Sequence, residues 1–197
     1  AVMAKFKARQ PDVHITLRTI SSYDVREGLL NGLYDLGITT NSLQLEGAQL
    51  QTKVVDQVAA VCVMGRSHPL AGNAHITPRH FQSETLLTLD RADELSDEWR
   101  RALAQAKVTP GSVIETTYSA TICRLAEVGA GIGVVNPYIA SVFSNVLRVV
   151  PLKPTIGVKV FVAYPRHVSI SALASALITE ISDHFKTDTR PPRSGKR

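Results

Sequence analysis

Hydroxyl-bearing side chains stand at three places where a predicted strand gives way to a helix or a turn. They are Ser21, Ser22, Thr39, Thr40, Tyr118, Ser119 and Thr121. The first N–H groups of a helix have no acceptor inside the helix and carry partial positive charge. Hydroxyl groups beside them help to hold a carboxylate or a similar anion. The residue types and their positions therefore predict that the protein binds a small acid and does not transform it.

Each of these places has a second interpretation, because serine and threonine cap helices in most proteins. A single junction of this kind is more typical of a helix cap than of a ligand site. In open parallel sheets, however, ligands gather at the carboxyl ends of the strands. Three such junctions in one chain favour a binding site about as strongly as they favour simple capping.

Motifs of catalysis and of metal binding are absent from the sequence. It contains no G-x-S-x-G, H-E-x-x-H, C-x-x-C or Walker motif. His75 and His80 lie close together in the sequence but have no third donor at metal-ligand spacing. The glycines of Gly129-Ala-Gly131-Ile-Gly133 follow a predicted helix and open a strand, the reverse of a dinucleotide loop. We therefore expect no enzyme, no cofactor and no metal, and we interpret these glycines as a helix stop.

Strands and helices alternate along much of the chain. Of its 197 residues, 44% are apolar, which is enough for packed cores in one large domain or two small lobes. The predicted strands cover residues 13–20, 35–38, 86–89, 112–117, 132–135 and 158–163, and strand formers fill 50–64. The predicted helices cover residues 23–33, 94–107, 119–128 and 169–185. This order predicts an α/β protein with parallel strand pairing.

Charge and cysteine content restrict the partners and the compartment. Most of the net charge of +5 lies in residues 186–197, which read as a disordered basic tail, so the remainder is nearly neutral and unlike a nucleic-acid binder. The longest apolar run, 58–64, is too short to span a membrane. Cys62 and Cys123 cannot form a disulfide framework and suit the reducing cytoplasm.

Three motifs resemble the effector-binding domain of LysR-type transcriptional regulators. They are Ser67-His-Pro-Leu-Ala71 with the following Ile76-Thr-Pro and Phe81, the block ETTYSATICRLAEVGAGIGVVNP at 115–137, and Gly32-Leu-Tyr-Asp-Leu-Gly-Ile38. Together they extend the resemblance over residues 6–185. The Val-Asn-Pro ending of the second motif is similar to the branch of the family that senses opines and arginine-like amino acids.

This resemblance implies two Rossmann-like lobes with a central cleft, as in type II periplasmic binding proteins. Lobe I would comprise residues 1–57 and 158–185, and lobe II residues 58–157, with crossovers near 56–59 and 155–158. Family members also carry an N-terminal winged helix-turn-helix domain and a first lobe I strand. Neither matches this sequence, so DNA contact would require a domain outside it.

The resemblance also implies a function. A small-molecule effector would bind between the lobes, and the residues matching the family's ligand positions are the hydroxyl side chains above. Asp90 and Asn136, at the ends of lobe II strands, are further candidates, and Asp90 could pair with an ammonium or guanidinium group. Binding would shift the lobe angle in a homo-oligomer, a dimer or tetramer, on DNA. The alternatives are a periplasmic solute-binding protein and, more remotely, a transferase or lyase on a similar scaffold.

Overall fold

The computed structural model describes residues 2–42, 47, 49–166 and 169–187, and the chain divides into two compact units. The first unit holds the described residues up to Asp56 and those from Lys159 onward, and the second is Gln57–Val158. The chain leaves the first unit within strand β2 (Leu50–Ala59) and returns to it within strand β8 (Gly157–Pro165). The predicted tail lies outside the described residues, apart from its first two, which are helical.

The first unit consists of three helices and a three-stranded sheet. Besides β2 and β8, its elements are α1 (Val2–Arg9), α2 (Ser22–Leu30), β1 (Gly37–Thr39) and α6 (Ala172–Thr187). The strand order is β1-β8-β2, with β1 antiparallel to β8. Leu29, Leu50, Phe161 and Ala163 form its buried cluster. Helix α1 lies against α6, where Arg9 and Glu180 form an ion pair at 2.5 Å.

The strand predicted for residues 13–20 is wrong, because no strand is formed there. A strand needs a neighbour to accept and donate its backbone hydrogen bonds, and none of the described strands pairs with this segment. None of its apolar residues is fully buried, and Leu17 is 75% exposed. The parallel pairing expected between this segment and the next strand is therefore wrong as well, since β1 pairs with β8 in the antiparallel sense.

The second unit is built around a five-stranded mixed sheet. Its elements are β3 (Val61–Gly65), β4 (Thr85–Leu89), α3 (Glu94–Gln105), β5 (Ser112–Thr116), α4 (Ser119–Glu127), β6 (Ile132–Val135), α5 (Pro137–Val142) and β7 (Leu147–Pro151), with 3₁₀ turns at Pro69–Gly72 and Pro78–Phe81. The strand order is β5-β4-β6-β3-β7. Strand β4 is parallel to β5 and β6, and β3 is antiparallel to β6 and β7.

Helix α5 and strand β7 were not predicted from the sequence. Asn136-Pro137 reads as the end of a strand, yet the same pair starts a helix, because asparagine caps well and proline fits the first helical position. The side chain of Asn136 caps α5. Both elements are also short, and periodicity over so few residues is a weak signal.

The sheet of the second unit has a core on each face. Neighbouring residues of a strand point to opposite faces, so Leu86 joins the cluster around Trp99 while Leu87 joins the cluster around Ile122. Helix α3 covers the first face and helix α4 the second. On the α3 face the rings of Phe81 and Trp99 meet edge to face, with centroids 5.2 Å apart.

The glycine-rich segment after α4 is a helix stop, as the sequence predicts. Gly129 has a φ of 80°, and the N–H of Ala130 donates to the carbonyl of Leu125 at 2.9 Å. This hydrogen bond is typical of an α-helix that ends at a residue in the left-handed conformation. Gly131, with a φ of 155°, leaves no space for a Cβ beside the backbone of Thr85. The segment therefore brings β6 close against β4 and does not open a helix, so it is no dinucleotide loop.

Candidate functional site

The carboxyl ends of three parallel strands meet at one edge of the second unit. Strand β4 lies between β5 and β6, with Leu89 opposite Thr116. Asp90 follows β4 directly, and Asn136 follows β6 directly. Tyr118 comes two residues after β5, immediately before α4. The structure thus brings the candidate residues of this unit, Asp90, Tyr118, Ser119, Thr121 and Asn136, to the same sheet edge.

The start of helix α4 presents hydrogen-bonding groups without partners in the described part of the chain. Tyr118 occupies the N-cap position but its side chain caps nothing. The backbone N–H groups of Ser119 and Ala120 have no acceptor among the described residues, and the hydroxyls of Ser119 and Thr121 make no hydrogen bond there. Ser119 is the first helical residue and Tyr118 is the N-cap, so the capping interpretation does not apply to Ser119. Its hydroxyl is left available to a ligand.

Asn136 and Asp90 each use one atom for local structure and leave another available. The N–H of Ile139 donates to Oδ1 of Asn136 at 3.0 Å. The Asn136 amide NH₂ makes no hydrogen bond within the described residues. The N–H of Ala92 donates to Oδ1 of Asp90 at 3.0 Å, and that of Asp93 donates to the Asp90 carbonyl at 3.2 Å. These bonds form a tight turn that leaves the second carboxylate oxygen of Asp90 to accept a further donor.

Asp93, at the end of that turn, caps helix α3. Its Oδ1 accepts from the N–H of Ser96 at 3.0 Å. Burial raises the pKa of Asp93, and the neighbouring charge of Asp90 raises it further. The sheet edge therefore combines the electropositive start of α4 with an acidic turn. Such an arrangement suits a molecule that carries both an anionic and a cationic group.

The candidates of the first unit lie at the start of α2 and the end of β1. Ser21 caps α2, accepting from the N–H of Asp24 at 3.1 Å and donating to its carboxylate at 2.6 Å, so its hydroxyl is already engaged. The hydroxyls of Ser22 and Thr39 are 2.8 Å apart and join the two elements. Thr40 makes no side-chain hydrogen bond among the described residues.

Sequence reasoning missed Asn41 at this position. It is 2% exposed, and its N–H donates to Oγ1 of Thr39 at 3.1 Å. Asn41 lies two residues after the end of β1 and is tied by this bond to Thr39, one of the candidate residues. The signal available in the sequence was its place next to Thr39 and Thr40.

The histidine and cysteine side chains are the remaining residue types with the chemistry of a catalytic or metal site. The described residues contain no group of histidine, cysteine and acidic side chains able to hold a metal ion. His80 accepts at Nδ1 from the N–H of Thr77 at 3.0 Å, which is a capping role. Cys62 and Cys123 are fully buried free thiols, and burial raises the pKa of Cys123 to about 11. None of the described helices is both long and apolar enough to cross a membrane.

Comparison with known proteins gives the family. The family model described as "LysR substrate binding domain" matches residues 1–186, and the chain belongs to this family. It is 31% identical over 139 residues to the transcriptional activator protein LysR of Escherichia coli K12, covering 71% of this chain and 44% of that protein. It is 30% identical over 143 residues to the regulatory protein NocR of Agrobacterium tumefaciens T37, covering 73% and 47%. The chain thus spans less than half the length of these relatives.

Solved structures show the same fold. The regulatory domain of Synechocystis CcmR in complex with 2-PG matches with a TM-score of 0.76 at 17% identity, over 95% of this chain and 90% of that one. The BenM effector-binding domain with benzoate matches with a TM-score of 0.75 at 18% identity, over 97% and 88%. The predicted α/β fold of the type II periplasmic-binding-protein kind is confirmed. The named relatives are regulators of transcription and not enzymes, in agreement with the prediction.

Proposed function

We propose that this ligand-binding domain of a LysR-type regulator binds a small metabolite through a carboxylate held at the start of α4. The observation that carries the proposal is the set of unengaged donors there: the N–H groups of Ser119 and Ala120 and the hydroxyls of Ser119 and Thr121. Tyr118, 44% exposed, adds a phenol next to them. A helix N-terminus favours a bound anion through both its N–H groups and its dipole.

The effector we propose is an amino acid or an opine. Asp90 supports this choice, because one of its carboxylate oxygens remains available to an ammonium or guanidinium group at the same sheet edge. The Asn136 amide supplies a further donor. NocR is one of the similar regulators, and shikimate and benzoate, named with two structural neighbours, each carry a carboxylate.

The remaining candidate residues belong to the first unit. We assign lobe I to residues 1–57 and 158–185 and lobe II to residues 58–157, with the effector between them. Ser22, Thr39 and Thr40 would contact it, supported by the link between the Ser22 and Thr39 hydroxyls. Ser21 would act through the helix start that it caps. A change in lobe angle on binding would carry the signal.

Other parts of the proposal concern the full-length regulator. We expect it to act in the cytoplasm as a homo-oligomer and to contact DNA through a winged helix-turn-helix domain. We also expect a further lobe I strand beside β1, which is an edge strand, and the exposed Leu17 supports this expectation. The named relatives are all regulators of transcription and lend no support to a periplasmic transport protein.

Removing the hydroxyls at the start of α4 tests the carboxylate site. Isothermal titration against a panel of amino acids, opines and simple carboxylates would identify a binder. The Ser119→Ala/Thr121→Val variant should then bind it at least tenfold more weakly, because the loss of even one hydrogen bond to a charged group is worth roughly 1.5 kcal/mol or more.

A matched control is Ser144→Ala. Ser144 is exposed and precedes β7, whose first residue Leu147 lies opposite Gly65, near the last turn of α4 and not near its start. Its loss should leave the affinity unchanged. A wild-type domain that binds no compound of the panel, or an α4 variant with unaltered affinity, would contradict the proposed site.

Replacing Asp90 by asparagine tests the class of effector. Asp90→Asn removes the negative charge and keeps an oxygen that can accept the N–H of Ala92. If the effector carries an ammonium or guanidinium group, its affinity should fall at least tenfold, while a simple carboxylate should bind equally well or better. If the wild type and Asp90→Asn bind a cationic effector with equal affinity in these titrations, Asp90 does not contact the effector.

A further inference from the structure

A buried hydroxyl pair lies beneath the turn that carries Asp90. Thr88 and Ser96 are 2% and 4% exposed, and their hydroxyl oxygens are 2.8 Å apart. The Ser96 hydroxyl also donates to the carbonyl of Leu89, the last residue of β4, at 2.8 Å. The Nε–H of Arg100 donates to the same hydroxyl oxygen at 3.3 Å.

The directions of these bonds follow from the single proton of a hydroxyl group. Ser96 gives its proton to the Leu89 carbonyl, so Thr88 must be the donor in the pair. Ser96 then accepts two hydrogen bonds, from Thr88 and Arg100, and donates one. Its hydrogen-bonding capacity is completely used. The pair therefore holds no ligand itself, but it ties helix α3 to the end of β4.

Arg100 extends this connection to the neighbouring strand. Its Nη2 donates to Oε2 of Glu115 at 2.7 Å, and Glu115 lies opposite Thr88 in the ladder between β4 and β5. Glu115 is the residue before the last of β5, three positions ahead of Tyr118. The ends of both strands that lead to candidate site residues are thus held to one helix.

We propose that Ser96 is a positioning residue for the candidate site. Its hydroxyl holds the end of β4, and so the Asp90 turn, while Arg100 extends the support to β5. Neither residue is assigned a contact with the effector. This inference rests on the proposed function only in taking Asp90 as a ligand contact.

Amide hydrogen exchange in the ligand-free domain tests the proposal directly. The N–H groups of Ala92 and Asp93 are hydrogen-bonded to Asp90, so their exchange reports on the turn. In Ser96→Ala we expect both amides to exchange about tenfold faster, because the Leu89 carbonyl loses the hydrogen bond from the Ser96 hydroxyl. The matched control is Ser112→Ala, which removes a Thr85–Ser112 hydroxyl pair, 2.7 Å apart, at the opposite ends of the same strands. It should leave these two amides unchanged.

A double variant separates positioning from general stability. Ser96→Ala alone leaves the buried Thr88 hydroxyl without its acceptor, which lowers the melting temperature. Thr88→Val/Ser96→Ala removes both hydroxyls and should recover much of that temperature. Exchange of Ala92 and Asp93 should nevertheless remain fast, because the Leu89 carbonyl still lacks the hydrogen bond from Ser96. If Ser96→Ala does not fold, the double variant alone decides the question.

Two results would overturn the proposal: slow exchange at the turn in the double variant, or exchange in Ser96→Ala that equals the wild type. A titration with acetate, followed at the amides of Ser119 and Ala120, examines the proposed function separately. The absence of a saturable shift in the wild type would count against the carboxylate site. The exchange result would still stand, since it is measured without a ligand.

Discussion

Asp93 combines a capping role with an environment that disfavours its charge. Its carboxylate accepts the N–H of Ser96 at the start of α3, where the helix dipole favours an anion. Burial and the nearby Asp90 nevertheless raise its pKa above the ordinary 3.8. A raised pKa in the folded state means that the contribution of Asp93 to stability is largest below pH 3.8. That contribution is lost as the pH rises through the folded-state value.

Asp93→Asn should therefore stabilise the domain at neutral pH. Asparagine caps a helix about as well as aspartate and has no charge to bury. We expect a higher melting temperature than the wild type at pH 7, and a gain that shrinks as the pH falls to about 3.8 and below. Thermal unfolding between pH 3 and pH 8 measures it. A variant that loses stability at pH 7 would show that the attraction between the carboxylate and the helix start dominates.

The sequence predicted the positions of individual site residues better than it predicted whether each one caps a helix or contacts a ligand. Residue order placed Asp90, Ser119 and Asn136 at strand ends, and the structure brings these ends to one edge. The sequence could not show that Ser21 and Asn136 already cap helices, because a cap and a ligand contact use the same atoms. Ser96 was missed because it lies within a helix, and its partners are close only once α3 packs on the sheet.

Among the elements, the close packing of α4 on β6 depends on a residue without a side chain. A Cβ at Gly133 would run into the side chain of Ile122, which is fully buried. The helix and the strand can therefore approach more closely here than any larger residue would permit. This approach sets the position of α4, and so of its first turn, relative to the sheet.

Gly133→Ala should destabilise the second unit by about 1–3 kcal/mol, as expected for overpacking in a filled core. Chemical denaturation measures the change. Gly72→Ala is the matched control, because no heavy atom lies within 4 Å of a Cβ built there. It should change stability by less than about 0.5 kcal/mol, the range typical of surface substitutions. Equal effects of the two substitutions would mean that Ile122 moves aside at little cost.

The elements that could be predicted are those whose signal is local. Helices α3 and α4 have clear apolar faces, Asp93 caps the start of α3, Gly129 ends α4, and β6 is a continuous apolar run. The segment 13–20 has the alternation of a strand but no neighbour to pair with, and pairing is a property of the assembled sheet. Helix α5 was missed for the opposite reason. Its start signal, Asn136-Pro137, was present in the sequence but was interpreted only as the end of the preceding strand.

At the scale of the whole molecule, the two units differ in the size of their cores. The second unit has buried clusters on both faces of its sheet, including Trp99, Phe81 and Ile122. The described buried apolar residues of the first unit are fewer and include no tryptophan: Phe6, Leu29, Leu50, Val160, Phe161, Val162, Ala163 and Ile181. Since buried apolar area supplies most of the stabilisation of a fold, the first unit should be the less stable one.

Hydrogen exchange of the complete chain should show this difference. We expect the backbone amides of β1 and α2 to exchange at least tenfold faster than those of β3 and β4, through opening of the first unit alone. Mass spectrometry of labelled peptides measures both sets in one experiment. Uniform protection across these four elements would show that the units unfold together.

The strand order β1-β8-β2 has a consequence for how the protein is made. Strand β8 is the middle strand of its sheet, yet it is the last to leave the ribosome. The 57–158 unit is already complete at that moment, since it is one uninterrupted stretch of chain. Strands β1 and β2 are synthesised before the second unit, and their pairing partner β8 is synthesised only after it. During most of translation, β1 and β2 therefore lack the strand with which they pair in the folded protein. Unpaired strands are prone to aggregate, so this is the period in which the nascent chain most needs protection.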